Sequence, residues 1–106
     1  MGASRELQQK FPFPYDDVFN GICKVITKLG FELKSYDRVV GIVSASKGIS
    51  FLTWGENLTI TVEKLDEGTL VGIRAAINAS PWDLYNINSK NIDKLIESLS
   101  KHLQST

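Results

Sequence analysis

Glu56 stands two positions after Trp54, and Asp83 directly follows Trp82 and precedes Tyr85 by two, so the chain's clearest chemistry-bearing residues come as carboxylates beside aromatics. Two carboxylates brought close together push their proton affinities apart, as an acid and base pair requires. No nucleophile, second histidine or phosphate-binding glycine loop accompanies them, and a catalytic reading needs such converging groups. The expectation is therefore no enzyme. Trp54, Glu56, Trp82, Asp83 and Tyr85 instead form a candidate ligand or partner surface, since small ligands favour aromatic walls carrying a few polar groups. The plain alternative is that the tryptophans plug the end of the core, while Asp83 and the nearby asparagines tie down a loop and cap the last helix.

The remaining reactive types are sparse. Cys23 is the single cysteine, which excludes an internal disulfide and any cysteine cluster for zinc or iron and sulfur. It falls beside the apolar stripe of a helix, where a buried inert thiol is expected. His102 is the single histidine, in the last turn of a C-terminal helix where a cation suits the dipole, so no multi-histidine metal site can form. Neither a metal nor any other cofactor is expected.

Twelve basic residues balance twelve acidic ones, with the signs interspersed, so the chain lacks the broad field that steers proteins to nucleic acid or anionic lipid. Apolar residues make up 42% and charged residues 23%, the balance of a globular domain. Apolar runs are too short to span a membrane, and no signal peptide is visible. A cytoplasmic location is the expectation. Met1-Gly2 begins like a myristoylation signal, but Glu6 stands where that signal needs Ser or Thr. The length suits one hydrophobic core, hence a single domain over 1–106 with an ordered core of about 5–104.

The elements that must position these residues follow from periodicity. Leu7, Phe11 and Phe13 lead into Phe-Pro-Phe-Pro and read as an edge strand. From Pro14, the residues Val18, Phe19, Ile22, Val25, Ile26 and Leu29 recur at helical spacing, with Asp16 and Asp17 at the positive end, Lys28 at the negative end and Gly30 as the stop. A second strand turns Phe31, Leu33 and Ser35 inward and Glu32, Lys34 and Tyr36 to water. Asp37 to Gly41 turns the chain. A third strand through Val43 and Ala45 bulges near Gly48 and resumes from Phe51 to Trp54. Gly55-Glu56-Asn57 reads as a turn, after which Leu58, Ile60 and Val62 form the fourth strand. Asp66-Glu67-Gly68 makes the next hairpin, and Val71, Ile73, Ala75 and Ile77 the fifth strand. A loop from Asn78 to Asn88 precedes a helix that opens near Ser89 and buries Ile92, Leu95, Ile96, Leu99 and Leu103.

The first helix makes strand two parallel to strand one, and three hairpins then bring strand five antiparallel to strand one. The expected fold is an α+β two-layer sandwich, β-α-β-β-β-β-α, with an antiparallel sheet in the order 1-5-4-3-2 and both helices on one face. Strands three, four and five then bring Trp54 and Glu56 to the same edge as Trp82, Asp83 and Tyr85.

That strand order resembles one repeat of the TATA-binding-protein fold. From Phe11 to Leu103 the sequence also resembles a group of small bacterial proteins of unknown function. The resemblance is carried by Leu29-Gly30-Phe31, Gly41 to Ala45, Thr53-Trp54-Gly55-Glu56, and an Asp83 to Asn91 segment with spaced asparagines leading into Ile92. It implies the fold and transfers no activity. Relatives tend to carry glycine and lysine where this chain has Leu84, Tyr85 and Asn86, and some carry membrane anchors.

The function expected first is a non-catalytic binding or accessory module, with an unknown protein or small molecule as partner at the Trp54 and Trp82 end or on the open sheet face. The alternative is a homo-oligomer paired through strand two, an outer strand blunted only by Glu32 and Lys34. Nucleic acid ranks lower, because the open face carries both charge signs and one aromatic, Tyr36. A ligand pocket or an enzyme comes last, since the inward residues look able to fill the core.

Overall fold

Period-two alternation puts Leu58, Ile60 and Val62 on one side of a strand, and the computed structural model of the chain buries them at 1, 0 and 5% exposure. The structure describes residues 3–47, 53–79 and 84–105, with side chains described for 6–46, 57–75 and 92–105. Its elements are β1 (Ala3–Phe11), α1 (Tyr15–Lys28), β2 (Glu32–Asp37), β3 (Ile42–Lys47), β4 (Thr53–Leu65), β5 (Gly68–Ala79) and α2 (Leu84–Gln104). The sheet has the order β1-β5-β4-β3-β2, and every neighbouring pair is antiparallel, as the alternation and hairpins predict.

Both helices lie on one side of that sheet. Val43, Ala45, Leu58, Ile60, Val71, Ile73 and Ala75 share one buried cluster with Phe19, Ile22 and Ile26 of α1 and Leu95, Leu99 and Leu103 of α2. Each large side chain removed from water contributes roughly 1.5–3 kcal/mol before the entropy of ordering is counted. The helices run antiparallel and approach closely at Gly21, where an added Cβ would stand 3.0 Å from His102 Cδ2 and 3.1 Å from Leu99 Cδ1. The C-terminus of α1 closes with the Gly30 N–H donating to the Thr27 carbonyl and the Phe31 N–H to the Ile26 carbonyl, both at 3.1 Å. That closure needs a left-handed residue, and Gly30 supplies it at φ +93°.

Four boundaries differ from expectation, each for a local reason. The prolines lie outside β1, which ends at Phe11; a residue without an N–H cannot extend the ladder, so Pro12 to Pro14 become the link into α1. β2 carries a register shift between Leu33, opposite Ala45, and Ser35, opposite Ser44, so Lys34 is an extra residue. The bulge reverses the facing of the strand residues beyond it. Ser35 therefore turns to the open face and Tyr36 to the helix side, the opposite of the simple alternation.

Trp54, Gly55 and Glu56 belong to β4 rather than to the end of β3 and a turn. Asn57 and Glu56 pair with Ser46 and Lys47 of β3, and Thr53 with Ala79 of β5. Gly55 marks a register shift between Thr53 and Glu56, a place that tolerates a residue without a side chain. The expected bulge at Gly48 and the strand resuming at Phe51 lie outside the described residues. α2 opens at Leu84 instead of Ser89. Asn86 and Asn88 read as a loop because asparagine is a weak helix former, yet that weakness amounts to no more than about 0.7 kcal/mol per residue.

Candidate functional site

The register brings the backbone of Trp54 and Glu56, at the start of β4, beside the end of β5, and Tyr85 falls in the first turn of α2. Trp82 and Asp83 lie outside the described residues, as do the side chains of Trp54, Glu56 and Tyr85. The geometry that the structure does resolve in detail is at the opposite end of the sheet, around the β2–β3 hairpin.

Asp37 to Gly41 forms a turn whose backbone is held from several sides. Asp37 Oδ1 accepts the N–H groups of Val39 at 2.9 Å and Val40 at 3.1 Å, the local bonding that favours aspartate in turns. The Gly41 N–H donates to the Asp37 carbonyl at 2.8 Å, and the Val62 N–H of β4 donates to the Gly41 carbonyl at 2.8 Å. Gly41 has φ +87°, and a Cβ there would overlap the Val62 carbonyl oxygen. Only glycine fits such a position without strain.

Helix α1 holds the same turn through residues far away in sequence. The Tyr15 hydroxyl donates to the Arg38 carbonyl at 2.7 Å. The Arg38 guanidinium donates to Asp16 Oδ1 at 3.3 Å and to Asn20 Oδ1, and lies 4.8 Å from the centroid of the Phe19 ring. Phe19 is stacked with Tyr15 at 6.0 Å and met edge-on by Tyr36 at 6.3 Å. The β2 bulge makes the second contact available, because it turns Tyr36 toward α1.

At its tip this framework presents two apolar side chains to solvent. Val39 is 95% exposed and Val40 65% exposed. A cleft of about 340 Å³ is bordered by Tyr15, Arg38, Val39, Val40, Val62 and Lys64. A second of about 560 Å³ is bordered by Pro12, Phe13, Pro14, Tyr15, Leu65 and Glu67, and the two share Tyr15 and Lys64. Thr69 fixes the floor of this region by donating its hydroxyl to the Phe13 carbonyl at 2.8 Å while wholly buried.

Burial shifts two titratable groups in and beside this framework. Burial pushes the Tyr15 hydroxyl above its usual value; Arg38 opposes this, while Asp16 and Asp37 add to it. The phenol therefore stays protonated and keeps donating. Burial likewise raises the Cys23 thiol, against a smaller lowering by Arg38, and so favours the less reactive thiol form. Among the described residues, no group of three histidine, cysteine, aspartate or glutamate side chains stands close enough together to hold a metal ion.

Sequence reasoning expected the Asp37 to Gly41 turn but not this assembly. The available signal was Val39-Val40 itself, two adjacent apolar residues at a turn. The loss of Tyr36 from the open face leaves Ile42, Ser44, Thr59 and Thr61 among the side chains on that face, with an ion pair, Arg74 to Glu6 at 3.5 Å.

No family model matches the chain, and no curated protein matches it. Solved structures do. Ara h 8.0201 is similar with a TM-score of 0.75 at 8% identity, covering 100% of both chains. An uncharacterised protein of Bacillus thuringiensis is similar with a TM-score of 0.73 at 11% identity, covering 96% of this chain and 99% of that one. Norcoclaurine synthase from Thalictrum flavum is similar with a TM-score of 0.58 at 10% identity, covering 100% of this chain and 88% of that one. These neighbours have Bet v 1-like folds. At such identities the likeness is one of fold alone. No helix in the described residues is long and apolar enough to cross a membrane.

Proposed function

We propose that the chain is a non-catalytic binding module whose contact surface is the hairpin end, with Val39 and Val40 as the apolar contact and the adjoining clefts as the receiving surface. The observation that carries this reading is the exposure of two valines on a turn fixed by Asp37, Tyr15, Arg38 and Gly41. An apolar group already held in its bound shape loses little entropy on association. The Bet v 1-like fold of the structural neighbours supports reading the chain as a binding module. The cleft aromatics and prolines favour a ligand with an apolar body.

The interior between helices and sheet is a weaker place for a ligand, because Phe19, Ile22, Ile26, Ile60, Leu95 and Leu99 occupy it among the described residues. A second contact surface at the Trp54 end is supported by the backbone register of Thr53 with Ala79 and Glu56 with Ile77. Self-association through β2 is weakened by the bulge at Lys34, a device that blunts an edge strand. We read the chain as related to the small bacterial proteins of unknown function; the motif glycines Gly30 and Gly41 both stand at positive φ.

An NMR screen of aliphatic and aromatic fragments tests the proposal. Fragments that bind are expected to shift the amides of Val39, Val40, Gly41 and Lys64, and to lose that effect in a Val39→Ser, Val40→Ser variant that melts like the parent. Binders that shift only amides elsewhere would refute the assignment.

A further inference from the structure

A groove of about 380 Å³ runs along the seam between α1 and α2, on the side of the helices away from the sheet. It is bordered by Lys24 and Lys28 from α1 and by Ser98, Lys101, His102 and Ser105 from α2, with Val25 at its base. Val25 is only 3% exposed, so the floor is apolar and closed while the rim is cationic and hydroxylated. Among the described residues no carboxylate lines it, and the one that approaches the rim is Glu97, 3.0 Å from Lys101 Nζ. In a chain with twelve residues of each sign and no net charge, this local segregation is distinctive.

The helix dipole accounts for part of the pattern and not for all of it. Lys28 lies in the last turn of α1, and Lys101 and His102 in the last turn of α2. Each favours a cation there. The helices are antiparallel, however, so those two ends point in opposite directions along the seam. Lys24 is a turn short of either end, yet faces the same groove. Among the described residues, Lys101 has an acid partner, Glu97 at 3.0 Å, while Lys24 and Lys28 have no ion pair. Two unpaired ammonium groups facing one recess repel each other until an anion arrives.

The geometry points to a binding site for a soluble phosphate-bearing ligand between α1 and α2, with Lys24, Lys28 and Lys101 supplying positive charge and Ser98 a hydroxyl donor. Phosphate fits this chemistry because several oxygens can meet ammonium and hydroxyl donors from both helices at once. A recess between two helices suits a compact anion better than a flat lipid surface does. The site lies on the opposite side of α1 from the hairpin framework and is independent of it.

Inorganic tripolyphosphate is the probe, with binding read from amide shifts and titration calorimetry on the whole chain. It is expected to shift the amides of Lys24, Lys28, Ser98 and Lys101, and to bind at least tenfold more weakly to a Lys24→Gln, Lys28→Gln variant. A Lys10→Gln, Lys34→Gln variant, which removes the same charge elsewhere, is expected to change affinity less than twofold. Unchanged thermal melting of both variants confirms folding. Equal losses in the two variants, or absence of binding, would overturn the site. Cosedimentation with phosphatidic acid vesicles without tripolyphosphate binding would overturn the choice of a soluble ligand.

Discussion

The Arg38 guanidinium lies over the Phe19 ring at 4.8 Å, joining the β2–β3 hairpin to the first helix across 19 residues of sequence. Arg38 also reaches Asp16 and Asn20, while its carbonyl accepts the Tyr15 hydroxyl. Its side chain is 44% exposed and that of Asp16 is 76% exposed, so the ion pair itself is screened and weak. Arg38→Ala is expected to cost about 1 kcal/mol in denaturant unfolding, chiefly from the lost ring contact. Arg38→Lys should recover less than half, because the planar fork is lost.

Gly41 sets a sharper test of the turn. Gly41→Ala places a Cβ against the Val62 carbonyl at a positive φ. A loss of more than about 2 kcal/mol is expected, combining backbone strain with steric overlap. Gly72→Ala serves as the comparison, since the nearest obstacle there is Thr61 Oγ1 at 2.7 Å, the end of a side chain that can rotate. Its cost should be smaller. Equal midpoints for the two variants in urea would contradict the placement of Gly41.

The facing of Tyr36 can be read directly. Bulged at Lys34, β2 turns Tyr36 toward α1 and within 6.3 Å of Phe19. Nuclear Overhauser contacts between the two rings are expected. Tyr36→Ala should destabilise by about 1 kcal/mol, the scale of an edge-on aromatic pair plus some lost burial. Contacts from Tyr36 to Thr59 or Ser44 in their place would show an unbulged strand.

Alkaline pH should weaken the fold through two groups. Tyr15 and Cys23 both have folded values raised above their usual 10.0 and 9.0 by burial. The folded chain then holds these protons more tightly than the unfolded chain, so stability is full below pH 9 and declines as pH climbs through the raised folded values. Urea midpoints measured from pH 7 to 11 should fall above pH 9. Cys23→Ala together with Tyr15→Phe should flatten the curve, with Tyr15→Phe also costing about 1 kcal/mol at pH 7 for the hydrogen bond to the Arg38 carbonyl.

The sheet order and the core were legible because local alternation and hairpins set the strand directions, and those directions bring β1 beside β5. Leu58, Ile60 and Val62 alternate without interruption, and the α1 stripe from Val18 to Ile26 recurs at one period. The facing of Tyr36 was not legible, since the single extra residue at Lys34 leaves no composition signal. Gly55-Glu56-Asn57 carries turn-forming residues, yet pairing with both β3 and β5 keeps Glu56 and Asn57 extended. The hairpin framework escaped for a different reason. Tyr15, Asp16, Asn20 and Arg38 meet only after α1 has packed on the sheet, so spacing along the chain does not reveal their association.

Backbone order at Val39 and Val40 tests the central claim most directly. A turn held by Asp37, Tyr15 and the Val62 N–H should give 15N order parameters of about 0.85 at both residues, equal to those of the neighbouring strands despite their exposure. Values below about 0.6 would mean a mobile loop tip, and the preformed apolar contact surface would be contradicted.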